Sequence, residues 1–532
     1  MPPPRRNASG CCAHDTLYVD CSPEAATVGF SRPVGQSRLE AATLTGRLTS
    51  TNADELATPA QVFNNPSVFP GPLVLPDDEI AQDPEDDDPQ TFKEWFTYSR
   101  GPGRQITNRR KTLYVIPPPE ETEEVQSLMK GWAEPQVPRG QKVPSLPSGQ
   151  LAAPTVEDLC DYLRAFYHPM EIKVFRPQYL WRSWTGNGTS SGSSTTTRSS
   201  KSRKGQDAYL GLEPAAPTGE LFGVRYRPSL DGIAKQQLNL SDITDAMLAH
   251  IPPDAYSIVM LTHHDLYEDD EDDFCCGRAW GSSRVAIVSS FRYHPSLDRY
   301  SGIDREHMWP ASHCKAYVDR LCQTTEPPRK RVKKAKSPSV PTIPCSETSP
   351  LASAVQGASQ HLVPRTTEDY SQLWMSRTAR TMSHEIGHCM VLDHCSFFAC
   401  VMQGTANIAE DVRQPPYLCP ICLQKLSNLL APLIGKPTTP DIQMQFIQGQ
   451  HEALARFCRR WPKVGMFAGL AAWMAQRLEL MQSHTALLET EAGEQQPSSD
   501  DAKAAPRKPP SSATGQPKST ALFAEWLDEG AN

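Results

Sequence analysis

Apolar residues follow two rhythms along this chain, and the change from one to the other divides it. From Thr112 to Tyr293 they alternate with polar residues or form short blocks. Thr112 to Ile116 is such a block, stopped by Pro117, Pro118 and Pro119. Met170, Ile172 and Val174 alternate with Glu171 and Lys173, as do Phe222, Val224 and Tyr226, and residues 256–262 and 284–293 are further apolar runs of strand length. Period two predicts strands, because successive side chains point to opposite faces. Between them, Leu159, Tyr162, Leu163 and Phe166 predict a helix over 155–167, and residues 240–250 predict another, capped by Ser241 or Asp242. After Thr366 the rhythm is helical throughout, over 374–391, 423–433, 442–461 and 466–488. In the last of these Phe467, Leu470, Met474, Leu478 and Met481 step by three or four. Strands mixed with helices, followed by helices alone, predict an α+β fold.

Other stretches carry neither rhythm. Residues 1–55 show no periodicity, and 76–89 are acidic and bounded by prolines. Residues 186–206 are mainly Ser, Thr and Gly with a few basic residues near the end, while 322–365 is rich in Pro and Ser and 491–520 in Pro, Ser and Lys. Side chains of this kind bury too little apolar surface to offset the entropy of ordering. The expected organisation is a largely disordered region over 1–90, a folded domain over 91–490 with insertion loops at 186–206 and 322–365, and a disordered tail over 491–532. The tails are left as candidate contacts for unidentified protein partners.

Charge narrows the partners. With 53 Lys+Arg against 61 Asp+Glu the formal net charge is −8, so no nucleic-acid partner held by overall charge is expected. The most apolar stretch, 465–475, is far shorter than the ~18–20 residues of a membrane span, so no membrane association is expected. Met1-Pro-Pro-Pro-Arg-Arg leads into Asn-Ala-Ser-Gly rather than an apolar run, which predicts a cytoplasmic or nuclear protein that is not secreted. The basic run Arg329 to Lys336 resembles a nuclear localisation signal and reads equally as a solvated loop. In a reducing compartment, fifteen cysteines need an explanation other than disulfides.

Candidate chemistry lies within 384–422. His384-Glu385-Ile386-Gly387-His388 places two imidazoles one helical turn apart on one face, with Glu385 beside them. Such a pair can bind Zn²⁺ with the carboxylate near its water. His394 would point away if the helix ran on, but a break between His388 and His394 lets it return as a third ligand. Three histidines with an open fourth position form a catalytic zinc site. Beyond it, Cys395, Cys400, Cys419 and Cys422 are two pairs that can supply four thiolates to a closed zinc site. A redox pair at Cys419 and Cys422, or plain buried thiols, are the alternatives, and Cys389 is spaced for the core.

The compound motif His384-Glu385-x-x-His388-x5-His394-Cys395-x4-Cys400-x-Met402, followed by Cys419-x-x-Cys422, resembles the archaemetzincin family of zinc metallopeptidases. The resemblance implies a metzincin-like mixed twisted sheet, an active-site helix and a helical C-terminal part. It implies two zinc ions per chain, one catalytic on His384, His388 and His394 and one structural on the four cysteines. Glu385 is implied as general base and Met402 as the residue of a turn beneath the metal, although a core methionine explains Met402 as well. A peptide or protein substrate and aminopeptidase action are further implications. In one respect the chain departs from the family: metzincins usually carry Gly three residues after the second zinc histidine, and Val391 stands there. A β-branched residue at positive φ would be strained by about 1–3 kcal/mol. Two readings follow, a zinc-dependent peptidase or a catalytically weak, zinc-stabilised interaction protein. The strand over 284–293 is expected to form the cleft edge on which an extended peptide pairs. The acidic run 268–273 is expected to be a solvated loop.

Overall fold

The computed structural model describes residues 12–48, 63–76, 78, 89–137, 150–184, 208–215, 220–281, 283–324, 340–436 and 440–494. Among these the fold is α+β, with no strand after Pro344. Its centre is a five-stranded sheet in the order Gly277–Trp280, Val285–Ser289, Ala255–Thr262, Thr112–Ile116, Glu171–Val174. Four strands are parallel and Gly277–Trp280 is antiparallel at one edge.

A mainly parallel sheet needs both faces covered, and the alternation of its side chains shows how that is done. Leu113, Val115, Val259, Leu261, Ala286 and Val288 face one core, and Ile116, Ile258, Met260, Val285 and Ile287 face another. The first core is closed by helices Val156–Phe166 and Thr367–Cys389 together with the C-terminal helices. The second is closed by helix Leu240–Leu248 and by a six-stranded mixed sheet built from 120–121, 179–183, 208–214, 222–227, 237–239 and 265–267.

Several expectations need correction. Part of the 1–90 region is packed, because Leu17, Val68, Phe69, Val74 and Leu75 are buried and Thr16–Tyr18 pairs antiparallel with Thr342–Pro344. The partner strand lies inside the expected insertion 322–365, as does helix Pro350–Ala358, which packs against helix Gly465–Glu494. Composition hid both, because the few apolar residues there find their partners at long range. Residues 284–293 are not the sheet edge. Val285–Ser289 is flanked on both sides, and Phe291–Tyr293 is a short 3-10 turn. Gly277–Trp280 takes the edge instead. The segments 186–206 and 329–336 lie outside the described residues. No helix among the described residues is long and apolar enough to cross a membrane.

Candidate metal centre

The site is carried by helix Thr367–Cys389 and the turn that ends it. Thr366 and Asp369 cap the helix reciprocally: the Thr366 side chain accepts from the Asp369 amide, and Asp369 accepts from the Thr366 amide at 2.9 Å. Two buried arginines fix the helix laterally. Arg377 binds both oxygens of Asp298, at 2.6 and 3.2 Å, and Arg380 pairs with Asp411. Glu385 and Gly387 are buried, while His384 and His388 are half-buried.

The helix ends in a Schellman motif. Leu392 N–H donates to Gly387 O at 3.1 Å, and Val391 N–H donates to His388 O at 2.9 Å. Val391 occupies the left-handed position at φ 66°, so the turn expected of glycine is made with a β-branched residue. Neighbouring side chains hold it there. Trp95 Nε1 donates to Met390 O at 3.2 Å, and Gln90 Nε2 donates to Val391 O at 3.2 Å. Gln90 is itself fixed by the buried ammonium of Lys425, 2.8 Å from its Oε1.

Beyond this turn His394 returns to the helix. Its ring centroid lies 5.5 Å from that of His384 and 5.0 Å from that of His388. The ligand nitrogens of the three histidines all lie within 4.8 Å of one another, and His394 is exposed. Their hydrogen bonds set the tautomers. His384 Nδ1 donates to Val401 O at 2.6 Å and His388 Nδ1 donates to Leu392 O at 2.7 Å, since a carbonyl can only accept. Both Nε2 atoms therefore present lone pairs, and these stand 3.0 Å apart. Two lone pairs held that close repel unless a cation is shared between them, so the donor set fits zinc. Burial, reinforced by His394, holds His384 down to about 3, and burial with His384 keeps His388 well below its ordinary range. The imidazoles are neutral and ready to ligate at neutral pH. Burial pushes the Glu385 carboxyl up to about 8 against the pull of Arg278, and a dication beside it would draw that value down.

Cys395, Cys400, Cys419 and Cys422 form one buried cluster with all sulfurs within 4.8 Å. Cys395 and Cys419 Sγ are 3.6 Å apart, and the amides of Cys419 and Cys422 donate to Cys400 and Cys419 Sγ at 3.3 and 3.5 Å. Hydrogen bonds from Cys400, Cys419 and Cys422 pull the Cys395 thiol well below its ordinary range. Four buried sulfurs this close, two of them accepting from backbone N–H groups, fit a tetrahedral thiophilic cation. Met402, fully buried, lies under the helix where a methyl on Gly387 would meet its Sδ at 2.5 Å, and its carbonyl accepts from Cys395 N–H at 2.8 Å. The turn at 401–402 thus braces both metal sets. Cys389 is buried in the core, as its spacing predicted.

Sequence reasoning missed the cleft edge. Gly277 lies against Glu385, Gly281 against the His388 carbonyl, and Gly404 against the His394 ring. Arg278 in the edge strand pairs with Glu268 at 3.3 Å, which ties the start of the acidic run to that strand.

The α+β domain thus sets three histidines at the end of one helix, which packs against an antiparallel edge strand, and a four-cysteine cluster follows in the same segment. Comparison with known proteins agrees. Residues 358–428 match the model of Peptidase family M54. Archaemetzincin-2 of Homo sapiens is 30% identical over 190 residues, 36% of this chain and 41% of that protein. Archaemetzincin-2 of Macaca fascicularis is 30% identical over 217 residues, 40% of this chain and 47% of that protein. The chain thus spans less than half the length of these relatives. The crystal structure of archaemetzincin from Methanopyrus kandleri aligns at 14% identity and a TM-score of 0.27, covering 61% of this chain and 98% of that one. The resemblance to the archaemetzincin family carried by the motif is thereby shown.

Proposed function

We propose that the chain is a zinc-dependent peptidase, and that it acts as an aminopeptidase. The observation that carries this reading is the convergence of His384, His388 and His394, with Glu385 next to His384 on the same helix. These three histidines would hold the catalytic ion, and Cys395, Cys400, Cys419 and Cys422 a second, structural one. Zinc, when bound, supplies Lewis acidity toward the scissile carbonyl and the attacking water. Glu385 accepts the water's proton and delivers it to the leaving amine. The edge strand Gly277–Trp280 offers its free side to an extended peptide, and the absence of a side chain at Gly277 leaves Glu385 room to reach the scissile bond. The acidic run near Glu268 supports recognition of a free α-ammonium group. Cytoplasmic or nuclear residence is part of the same proposal, and a fluorescent fusion lacking residues 329–336 that loses nuclear signal supports the nuclear part.

The test is hydrolysis of a peptide panel by the full chain and by Glu385→Gln. Loss of general-base catalysis should lower the rate about 10²–10⁴-fold while zinc content stays constant. Blocking the peptide amino terminus by acetylation should abolish cleavage. A rate indifferent to Glu385 would leave only the interaction-protein reading, and equal cleavage of acetylated peptides would remove the aminopeptidase assignment.

A further inference from the structure

A third set of metal-ligating side chains lies away from both clusters. Cys12, His14, His307 and Cys314 bring their ligand atoms within 4.8 Å of one another. His14, His307 and Cys314 are buried and Cys12 is half-buried. Cys12 and Cys314, 302 residues apart in the chain, meet with their sulfurs at 3.4 Å, and both are free thiols. A disulfide needs about 2.05 Å, whereas two thiolates on one tetrahedral zinc with bonds of about 2.3 Å stand roughly 3.8 Å apart. The observed spacing is nearer the second.

The imidazoles are prepared in the same sense. His14 Nε2 lies 3.1 Å from the Glu306 carbonyl, which can only accept, so Nδ1 carries the lone pair. His14 holds φ 52°, a left-handed conformation rare outside glycine and asparagine, which turns its ring toward His307 at a centroid distance of 5.2 Å. His307 is 2% exposed, and its Nε2 has no hydrogen-bond partner. A buried nitrogen left unpaired is costly, and the His307 ring is held in that state. Its Nδ1 lies 3.1 Å from Asp304 Oδ2, in the position of the carboxylate that commonly stands behind a zinc-bound histidine, which leaves Nε2 for a metal. The ring is clamped face to face on Tyr317 at 4.2 Å.

We propose that Cys12, His14, His307 and Cys314 form a third, structural zinc site that fastens the N-terminal segment to the 303–314 loop. Two thiolates and two imidazoles in a closed tetrahedron are a structural zinc donor set. The site anchors the strand Thr16–Tyr18, whose Leu17 also bridges to Cys314, and so closes the long chain excursion between the first described residues and the loop before helix Lys315–Thr324. It is independent of the peptidase reading, because it shares no ligand with the histidine set.

Zinc per chain is measured on the full protein, purified under reducing conditions, and on Cys12→Ser and His14→Ala. Each variant should carry one equivalent fewer than the parent. The difference is read rather than the total, so the result does not depend on whether the histidine site is loaded. Cobalt substitution should show the loss as a drop in tetrahedral thiolate absorption of two-sulfur rather than four-sulfur intensity. A third measurement needs no variant: Cys12 in the native protein should resist alkylation until a chelator is added. Unchanged zinc content in folded variants, alkylation of Cys12 at the rate of a free thiol, or a Cys12–Cys314 disulfide in the reduced preparation would each overturn the proposal.

Discussion

The α-carbon of Gly277 lies against the carboxylate of Glu385, so that a methyl group there would stand 2.8 Å from Oε1 and 2.9 Å from Cγ. The atoms in the way belong to the end of one side chain, which can rotate aside, so Gly277→Ala should fold and bind zinc normally. It should displace the proposed general base and lower peptide hydrolysis by roughly tenfold or more, the scale of about 1.4 kcal/mol of lost positioning. Zinc content and steady-state kinetics check this together. Unchanged kinetics would show that Glu385 needs no such clearance.

Val391 and the turn it makes lead to a second prediction. Val391→Gly relieves the left-handed strain but loses the whole buried side chain, whereas Val391→Ala loses the two methyls and keeps the β-carbon that causes most of the strain. The glycine variant should therefore be more stable than the alanine variant by about 1 kcal/mol, measured by urea unfolding. Equal stabilities would mean that the turn stores no strain.

Gln90 connects that turn to the C-terminal helices. Its Nε2 donates to Asp393 Oδ2 at 2.7 Å, and its Oε1 accepts from Lys425, which is 2% exposed. Gln90→Ala leaves a buried ammonium with one backbone partner and should cost about 2–4 kcal/mol. Adding Lys425→Met to that variant should recover a large part of the loss, because it removes the unpaired charge as well. A double variant no more stable than the single one would place the cost in packing.

Acid should weaken the fold through buried histidines outside the metal sets, three of which lie around one end of the central sheet. Burial lowers His263, His264 and His294 to about 4. For His264 this holds even though Glu121 comes within 3.9 Å. A histidine whose folded pKa lies below its unfolded value of about 6.5 contributes stability at neutral pH that is lost as pH falls toward 4, because the unfolded chain takes up the proton first. At pH 5.5 each should cost about 1.4 kcal/mol relative to pH 7.5. Urea unfolding at the two pH values measures the fall, and His263→Gln should reduce it by one histidine's share.

The parts of this protein that could be read from its sequence are those in which neighbours in the chain are neighbours in space. His384, Glu385 and His388 share one helical face, and His394 and Cys395 follow within one turn of the break, so their chemistry is written in a few residues. The strand Thr112–Ile116 was legible in full because three prolines end it. Gly277 and Arg278 were not legible, because their importance lies in a helix more than one hundred residues away that crosses their strand. The strands Tyr179–Ser183 and Ala208–Pro214 were missed because the polar insertion they flank dominates the composition around them. Cys12 and Cys314 looked scattered for the same reason: nothing local pairs the first described residues with a loop 302 positions on. The Pro-rich segment around Thr342–Pro344 looked loose until its partner Thr16–Tyr18 was placed beside it.

The most direct test of the central claim is an anomalous-difference map at the zinc edge from crystals of the 532-residue chain. The account predicts a peak about 2.0–2.1 Å from Nε2 of His384, Nε2 of His388 and a nitrogen of His394, with Glu385 facing its open side. A peak bound by His384 and His388 alone, or none at the histidines while the four-cysteine cluster is loaded, would contradict it.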